Sequence, residues 1–454
     1  MKKIVYIFAL FTGGFLLAQE HYSGINISRR VGLLNASINP AELSNLSTKY
    51  EVNAFTFSFN IANNKVSFSD IFDGEKFEEN FFKGNEHANI RLDALIHGPA
   101  FAMKYNKWAF AISSTGHIKA NAVDVDVNFG NAITNSFIGM TNINSNYNQR
   151  INAVAWGEIG LSASRNIFDN NTHKFNVGTT MKLLFPGSYM NLGVSNLNGE
   201  VYNVGTDVYL TNATAQVNIA YSGSLANNYS DSSNYGKLFA GGLNGFALDL
   251  GANYQWKQKV VSEDNSNDNP TSDYKLNLGL SIRNIGSMKF KSNDNVSNNY
   301  SLDIDGSAAE ALNLNQFDGS ESIKDIEQVL LDSGYLTKTS SKSDFTVKLP
   351  TVLNAYADYQ VANKWYVSAY IQQKLSDDTE NDFTTIQNVV TLTPRFSGKN
   401  YEIYVPLSQN EISDFTTGFG FRLGGFFLGS GSIVTALIND SKQADLYMGF
   451  RVGF

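Results

Sequence analysis

The 454-residue chain contains no cysteine, which excludes a disulfide framework, a thiolate metal site and a lipidated cysteine tether. Positive charge is also scarce. Thirty-four Lys and Arg against 42 Asp and Glu leave a net charge of −8, so there is no basic surface for nucleic acid. The five histidines, His21, His87, His97, His117 and His173, occur singly, without the spacing that brings two imidazoles to one ion. No metal or cofactor is expected. Beyond the first 18 residues no apolar run approaches the roughly 20 residues of a membrane helix, which excludes a helical membrane protein.

What is present begins with an address. Lys2 and Lys3 supply a positive start, Ile4 to Leu17 an apolar stretch, and Leu16-Leu17-Ala18 a small-residue cleavage site, so residues 1–18 read as a signal peptide and the chain as exported. No Pro-rich or Ser/Gly linker divides the remainder, and one texture of short strands runs from about Lys49 to Phe454. Aromatics and glycine are abundant, with 22 Tyr, 32 Phe and 37 Gly.

Strict alternation is the main signal, because successive side chains of a strand point to opposite faces. Phe246, Leu248, Leu250, Ala252, Tyr254 and Trp256 interleave with Ala247, Asp249, Gly251, Asn253 and Gln255. The same separation of an apolar from a polar row recurs in 175–183, 274–283 and 353–361, each about ten residues long, the length of a tilted membrane strand. A soluble sandwich also alternates, but long strands, aromatics at the ends of the apolar rows and the signal peptide favour a transmembrane antiparallel β-barrel over residues 49–454. Its last strand alternates to a terminal aromatic, Phe454, which resembles the signal read by the barrel-assembly machinery. The expected location is the outer membrane of a Gram-negative bacterium, in contact with its lipid.

Connection length orients the strands, since such barrels keep short turns in the periplasm and long loops outside. Tight connections are predicted at 106–107, 169–172, 284–287, 362–364 and 398–400. Long outer loops are predicted at 72–89, 124–148, 186–198, 223–235, 261–273, 303–344 and 376–384. Parity gives an even number of strands, 14 to 18, with short ones allowed near Gly236 to Gly241 and after Met288. A barrel that wide needs a channel or a plug.

Two segments do not alternate. Residues 19–48 carry a helical turn with Asn39 as N-cap and Pro40 at the first helical position, and could thread into the barrel as a plug. In 303–344, Ile323, Ile326, Val329 and Leu330 share one helical face, Ser322 and Asp325 can form a capping box and Gly334 supplies the stop. This helical insertion is read as outside, with three roles open: a lid over the mouth, a body docked in the lumen, or a loop packing its own apolar stripe.

No catalytic constellation emerges. His97 precedes Gly98-Pro99, and Ser113, Ser114 and His117 share a strand, but no third partner stands at a fixed spacing, so no catalytic residue is assigned and the chain is not expected to be an enzyme. The acidic runs 124–126, 263–265 and 377–380 lack a calcium-loop pattern and read as solvated loop charge. Candidate lumen-lining residues are Glu158, Lys182, Asp249, Lys275, Arg283, Asp358 and Arg451, where a pore sets its selectivity. Their mixed sign argues against a strong ion preference.

Two resemblances follow from particular residues. Phe427-Leu428-Gly429-Ser430-Gly431-Ser432, Ala444 to Gly449 and Arg30 to Ala41 make the mature chain similar to a family of Bacteroidota outer-membrane proteins of unknown function. That likeness implies location and fold and brings no catalytic residue or ligand. The triplet Asn39-Pro40-Ala41 resembles the N-terminal hatch of the long-chain fatty-acid transporter family. Two functions follow as expectations: passive passage of a small solute, hydrophobic ones included, through a plugged barrel, or a non-conducting barrel serving the cell envelope or a secretion system through its outer loops.

Overall fold

A computed structural model describes residues 21–68, 77–134, 139–227, 239, 241–257, 274–291, 295–306, 310–438 and 440–454; the signal segment and most of 236–241 lie outside them. Fourteen antiparallel strands form one closed wall. They are β1 (Tyr50–Asn63), β2 (Ala88–Tyr105), β3 (Trp108–Val125), β4 (Asn148–Asp169), β5 (His173–Val204), β6 (Gly245–Trp256) and β7 (Leu276–Phe290). The second half comprises β8 (Val352–Ala362), β9 (Trp365–Lys374), β10 (Val389–Ser397), β11 (Tyr401–Tyr404 with Leu407–Asn410), β12 (Asp414–Thr417 with Phe419–Leu423), β13 (Phe426–Ser430) and β14 (Gln443–Gly453). Closure is a continuous ladder from Glu51↔Gly453 to Ala62↔Gln443, which leaves the wall no free edge.

The two faces settle what the alternation means. On β6 the apolar Phe246 and Leu250 are 60% and 45% exposed, whereas Asp249 and Asn253 are 3% and 1% exposed. A soluble sandwich would bury the first pair. This wall turns apolar side chains outward and polar ones inward, as lipid outside and a polar lumen require. Trp108, Trp256 and Trp365 stand exposed at one end of the belt beside Tyr105, Tyr401 and Phe454, where amphipathic rings suit a membrane interface.

Short turns cluster at that same end. Tyr105 pairs with Trp108 around Asn106, whose φ of 53° suits a tight hairpin, and Asp169 with Lys174, Ala362 with Trp365, Ser397 with Glu402, and Leu423 with Phe426 belong to the same set. Two connections depart from expectation. Asn284–Ser287 is not a turn: β7 continues through it, and the left-handed Asn284 (φ 62°) sits where the register against β6 shifts, so hairpin-like residues serve a bulge. Pro186–Asn198 is not a loop but part of β5, with Pro186 at a register shift where its missing N–H is tolerated. The 261–273 connection, expected as an outer loop, lies outside the described residues. The two corrections set the count at the low end of the range.

At 32 residues β5 overshoots the wall. Its upper half pairs with the strand Asp207–Ser222, and the pairing continues to Val296–Ile304 and Leu336–Lys342, extending the same sheet beyond the wall at the loop end. Val201, Leu210, Val217, Ile219, Tyr300 and Leu302 give this extension a core. The helix Ile323–Asp332 buries Ile323 and Ile326 in that core, is capped by Ser322 Oγ accepting from the Asp325 N–H at 3.2 Å, and stops before Gly334 at φ 79°. Its buried Glu327 accepts from Tyr300 (2.5 Å), Asn298 (2.7 Å) and Tyr221 (3.0 Å). The helix therefore docks on its own sheet.

Candidate functional site in the barrel lumen

Residues 21–48 lie within the wall and meet its inward rows. Asn39 Oδ1 accepts from the Ala41 N–H at 3.0 Å, capping the short helix Pro40–Asn45, while its amide donates to the Ala252 carbonyl (2.9 Å) and Tyr356 Oη (3.2 Å). The close approach depends on missing side chains: a Cβ on Gly251 would stand 2.0 Å from Asn39 Oδ1, and one on Gly178 2.4 Å from the Pro40 carbonyl carbon. Glu42, 3% exposed, accepts from Tyr356 (2.5 Å), Asn45 (2.6 Å), Asn253 (2.7 Å) and Asn277 (2.9 Å). Four donors around one carboxylate satisfy its lone pairs and fix the plug's register on the wall. Nearer the loop end, His21 hydrogen-bonds Ser58 at 2.9 Å and lies 3.1 Å from Asp93, which Lys119 also contacts.

A second segment closes the lumen from the opposite side. The 375–388 connection, expected as a solvated outer loop over 376–384, folds into the mouth. Arg150, fully buried, donates from Nη1 to the Asp378 carbonyl (2.6 Å) and from Nη2 to the Phe383 (3.0 Å) and Asn381 (3.5 Å) carbonyls. Tyr189 Oη donates to the Asn381 carbonyl at 2.7 Å, and the Asn148 amide to the Thr379 carbonyl at 2.6 Å. Asp378 is 5% exposed and pairs with Arg91 and Lys374, each at 2.6 Å, so it is not solvated charge, whereas Asp377 and Glu380 of the same run are exposed. Burial alone would raise the Asp378 carboxyl; Arg91 and Lys374 more than offset it and hold it below the usual carboxylate range.

Between plug and loop lies a cavity of about 160 Å3. Its floor includes Tyr22, Leu33, Leu34 and Ile38 of the plug, and its roof Thr385, Ile386 and Gln387 of the loop. Four of the candidate lumen residues, Glu158, Lys182, Asp249 and Arg283, line it. Lys182 lies 2.9 Å from Asp249 and 3.5 Å from Glu158, which is also 3.4 Å from His117. Two others sit lower in the lumen. Asp358 accepts from Tyr274 (2.6 Å) and Arg395 (2.7 Å), and Arg451 is 2.8 Å from Glu51, whose carboxylate accepts from the Leu33 N–H of the plug at 2.7 Å. Lys275 departs from the set. It precedes β7 at the turn end, and its ammonium stands 4.8 Å from the ring of Tyr359, an outward residue, because the strand's inward row starts only beyond it.

The alternation revealed the inward rows but could not reveal Arg91, Arg150, Asp378 or Glu42, whose partners lie up to 314 residues away. Arg91 and Arg150 carry one usable signal: both are charged residues on the polar rows of strands longer than a bilayer needs. Among the described residues no cluster of three or more His, Asp or Glu has a metal-holding arrangement.

Similar solved structures include the deltaS2S3 mutant of TodX, a monoaromatic hydrocarbon channel, at 11% identity over 95% of this chain and 97% of that one, with a TM-score of 0.44. The Ralstonia pickettii toluene transporter TbuX (11%, 94% of each chain, 0.41) and the Pseudomonas putida toluene transporter TodX (10%, 96% and 98%, 0.39) are others. No curated protein matches the sequence. Residues 40–431 match a protein family of unknown function, DUF5723, and the chain belongs to that family.

Proposed function

We propose that this protein is a plugged channel of the bacterial outer membrane, through which small solutes, hydrophobic ones included, pass without an energy source. The observation that carries the reading is the cavity of about 160 Å3 held between two luminal segments that enter from opposite ends. A barrel built only as a scaffold has no need of two separate closures with a chamber between them. The paired charges on its wall are compensated by one another, and Leu33, Leu34, Ile38, Leu95 and Ile386 give an apolar solute surface to contact. In this reading the turn end faces the periplasm, lipid covers the outward belt, and the terminal strand with Phe454 is the handle for the barrel-assembly machinery. A non-conducting, partner-binding barrel would present apolar surface on its outer helix or rim; Ile323 and Ile326 of that helix face its own sheet instead, while Leu437 and Ile438 stand exposed at the rim.

Passage requires the 375–388 loop to lift. Because the chain has no cysteine, the pair Asn148→Cys/Asn381→Cys, placed where Asn148 donates to Asn381 at 3.0 Å, gives a clean test. Proteoliposomes holding the oxidised variant should exclude small uncharged solutes, and reduction should restore swelling to the wild-type rate. Equal swelling before and after reduction, with the crosslink verified, would contradict the proposal.

A further inference from the structure

All but one of the cations lining the cavity lie in ion pairs. Asp93 has Lys119 and His21, Glu158 and Asp249 share Lys182, with His117 also beside Glu158, and Arg91 has Asp378. Arg283 has no carboxylate within ion-pair distance among the described residues. Its guanidinium donates only to neutral oxygens: the Ser37 carbonyl of the plug (3.2 Å), Asn354 Oδ1 (3.3 Å) and Gln372 Oε1 (3.2 Å), and its Nε–H has no partner. A partly buried cation whose protein partners are all neutral dipoles attracts an anion, and a planar guanidinium suits the two oxygens of a carboxylate. Other buried polar atoms at the same cavity are also unpartnered, among them Trp156 Nε1, which can only donate, the hydroxyls of Thr385 and Tyr22, which can donate or accept, and Asn60 Oδ1, which can only accept. The indole N–H awaits an acceptor, and either hydroxyl can donate to one. The rest of the lining includes Leu33, Leu34, Ile38 and Leu95, which offer apolar contact.

We propose that the lumen holds a binding site for a small organic monocarboxylate, with the carboxylate on Arg283 and an apolar body against the plug side of the cavity. The inference rests on the channel reading for the solute's route but not for its binding. It refines the mixed-sign expectation: the other cations of the lining are engaged in ion pairs, and one guanidinium outside them remains to select. A long-chain acid is not what a cavity of about 160 Å3 accommodates whole, so the class is small.

The test is equilibrium titration of the full mature chain in detergent with benzoate, benzyl alcohol and benzylamine, run beside proteoliposome swelling with the same three probes. Benzoate should bind at least about tenfold more tightly than benzyl alcohol, the effect of one charge-assisted contact, and benzylamine should bind weakest. Arg283→Gln should remove the benzoate preference while leaving benzyl alcohol unchanged. Should that variant fail to fold, Gln372→Glu retains the guanidinium and gives it a carboxylate partner, with the same expected loss. Equal binding of benzoate and benzyl alcohol, or a benzoate preference that survives Gln372→Glu or Arg283→Gln, would overturn the site. Benzoate binding without swelling by any probe would instead support the site and count against the channel.

Discussion

The lumen is closed at two levels by segments of different chemistry. The plug contributes Tyr22, Ile25, Val31 and Leu34 to an apolar cluster with Leu95, Tyr404, Phe427 and Tyr447, and Ala36, Leu43 and Leu46 to another with Ala102 and Ala109. The 375–388 loop contributes no residue to any buried apolar cluster and is held by side chains donating to its carbonyls and by ion pairs at Asp378. This difference indicates which closure moves. Lifting the plug would expose apolar surface at roughly 25 cal/mol per Å2, whereas water can replace each of the loop's hydrogen bonds at a net cost of about 1 kcal/mol. A fixed floor and a removable roof follow from composition alone.

The comparison can be broken most directly at Arg150. Arg150→Ala removes all three carbonyl contacts and should weaken seating of the loop by about 3 kcal/mol, raising the swelling rate and the hydrogen exchange of the Thr384 amide, which now donates to the Lys348 carbonyl at 3.0 Å. Unchanged exchange at Thr384 would show that the clamp does not hold the roof. On the floor, Glu42→Gln places an amide group among four donors and should cost about 2 kcal/mol, read as faster exchange across 21–48 with swelling little altered. If swelling rises as much as for Arg150→Ala, the two closures are not distinct.

Acid should act on the roof first. The folded Asp378 carboxyl lies below its unfolded value, so its contribution is complete above the unfolded pKa of about 4 and is lost as pH falls through the lower folded value. Swelling should therefore be flat from pH 5 to 8 and rise only in stronger acid, and Asp378→Asn should abolish that rise. An acid response that persists in Asp378→Asn would assign it elsewhere. The smallest effect is expected at Lys348, whose ion pair with Asp382 at 3.2 Å is about half exposed. Lys348→Ala should change the swelling rate less than about twofold, since solvent screens such a pair; a change as large as that of Arg150→Ala would mean that this rim contact, and not the buried clamp, holds the loop.

Much of this architecture was legible in period-two patterning. The inward position of Asp249, Lys182 and Asp358 follows from alternation once the chain is known to face lipid, and Asn39-Pro40 announced a capped turn where the plug has one. Local chemistry misled where one residue type serves two geometries. Asn284 suits a hairpin as well as the bulge it occupies, and Pro186 reads as a break until its register shift is seen. The roof was illegible for another reason. Asp377 to Glu380 resembles any solvated acidic loop, and nothing near it in sequence announces Arg91, 287 residues away, which makes Asp378 a buried ion. Pairings across a closed barrel join residues at arbitrary separation, and no local pattern encodes them.

The measurement that bears most directly on a fixed floor and a removable roof is single-channel conductance with liposome swelling, comparing the mature chain, a form lacking residues 19–48 and a form with 376–384 replaced by a short Gly/Ser link. Brief, infrequent openings in the mature chain and sustained passage of small solutes once the roof is shortened are the predicted result, with a larger and less selective pore when the plug is absent. A roof-shortened barrel as tight as the intact one, alongside a plug deletion that conducts freely, would contradict it and make the plug the element that moves.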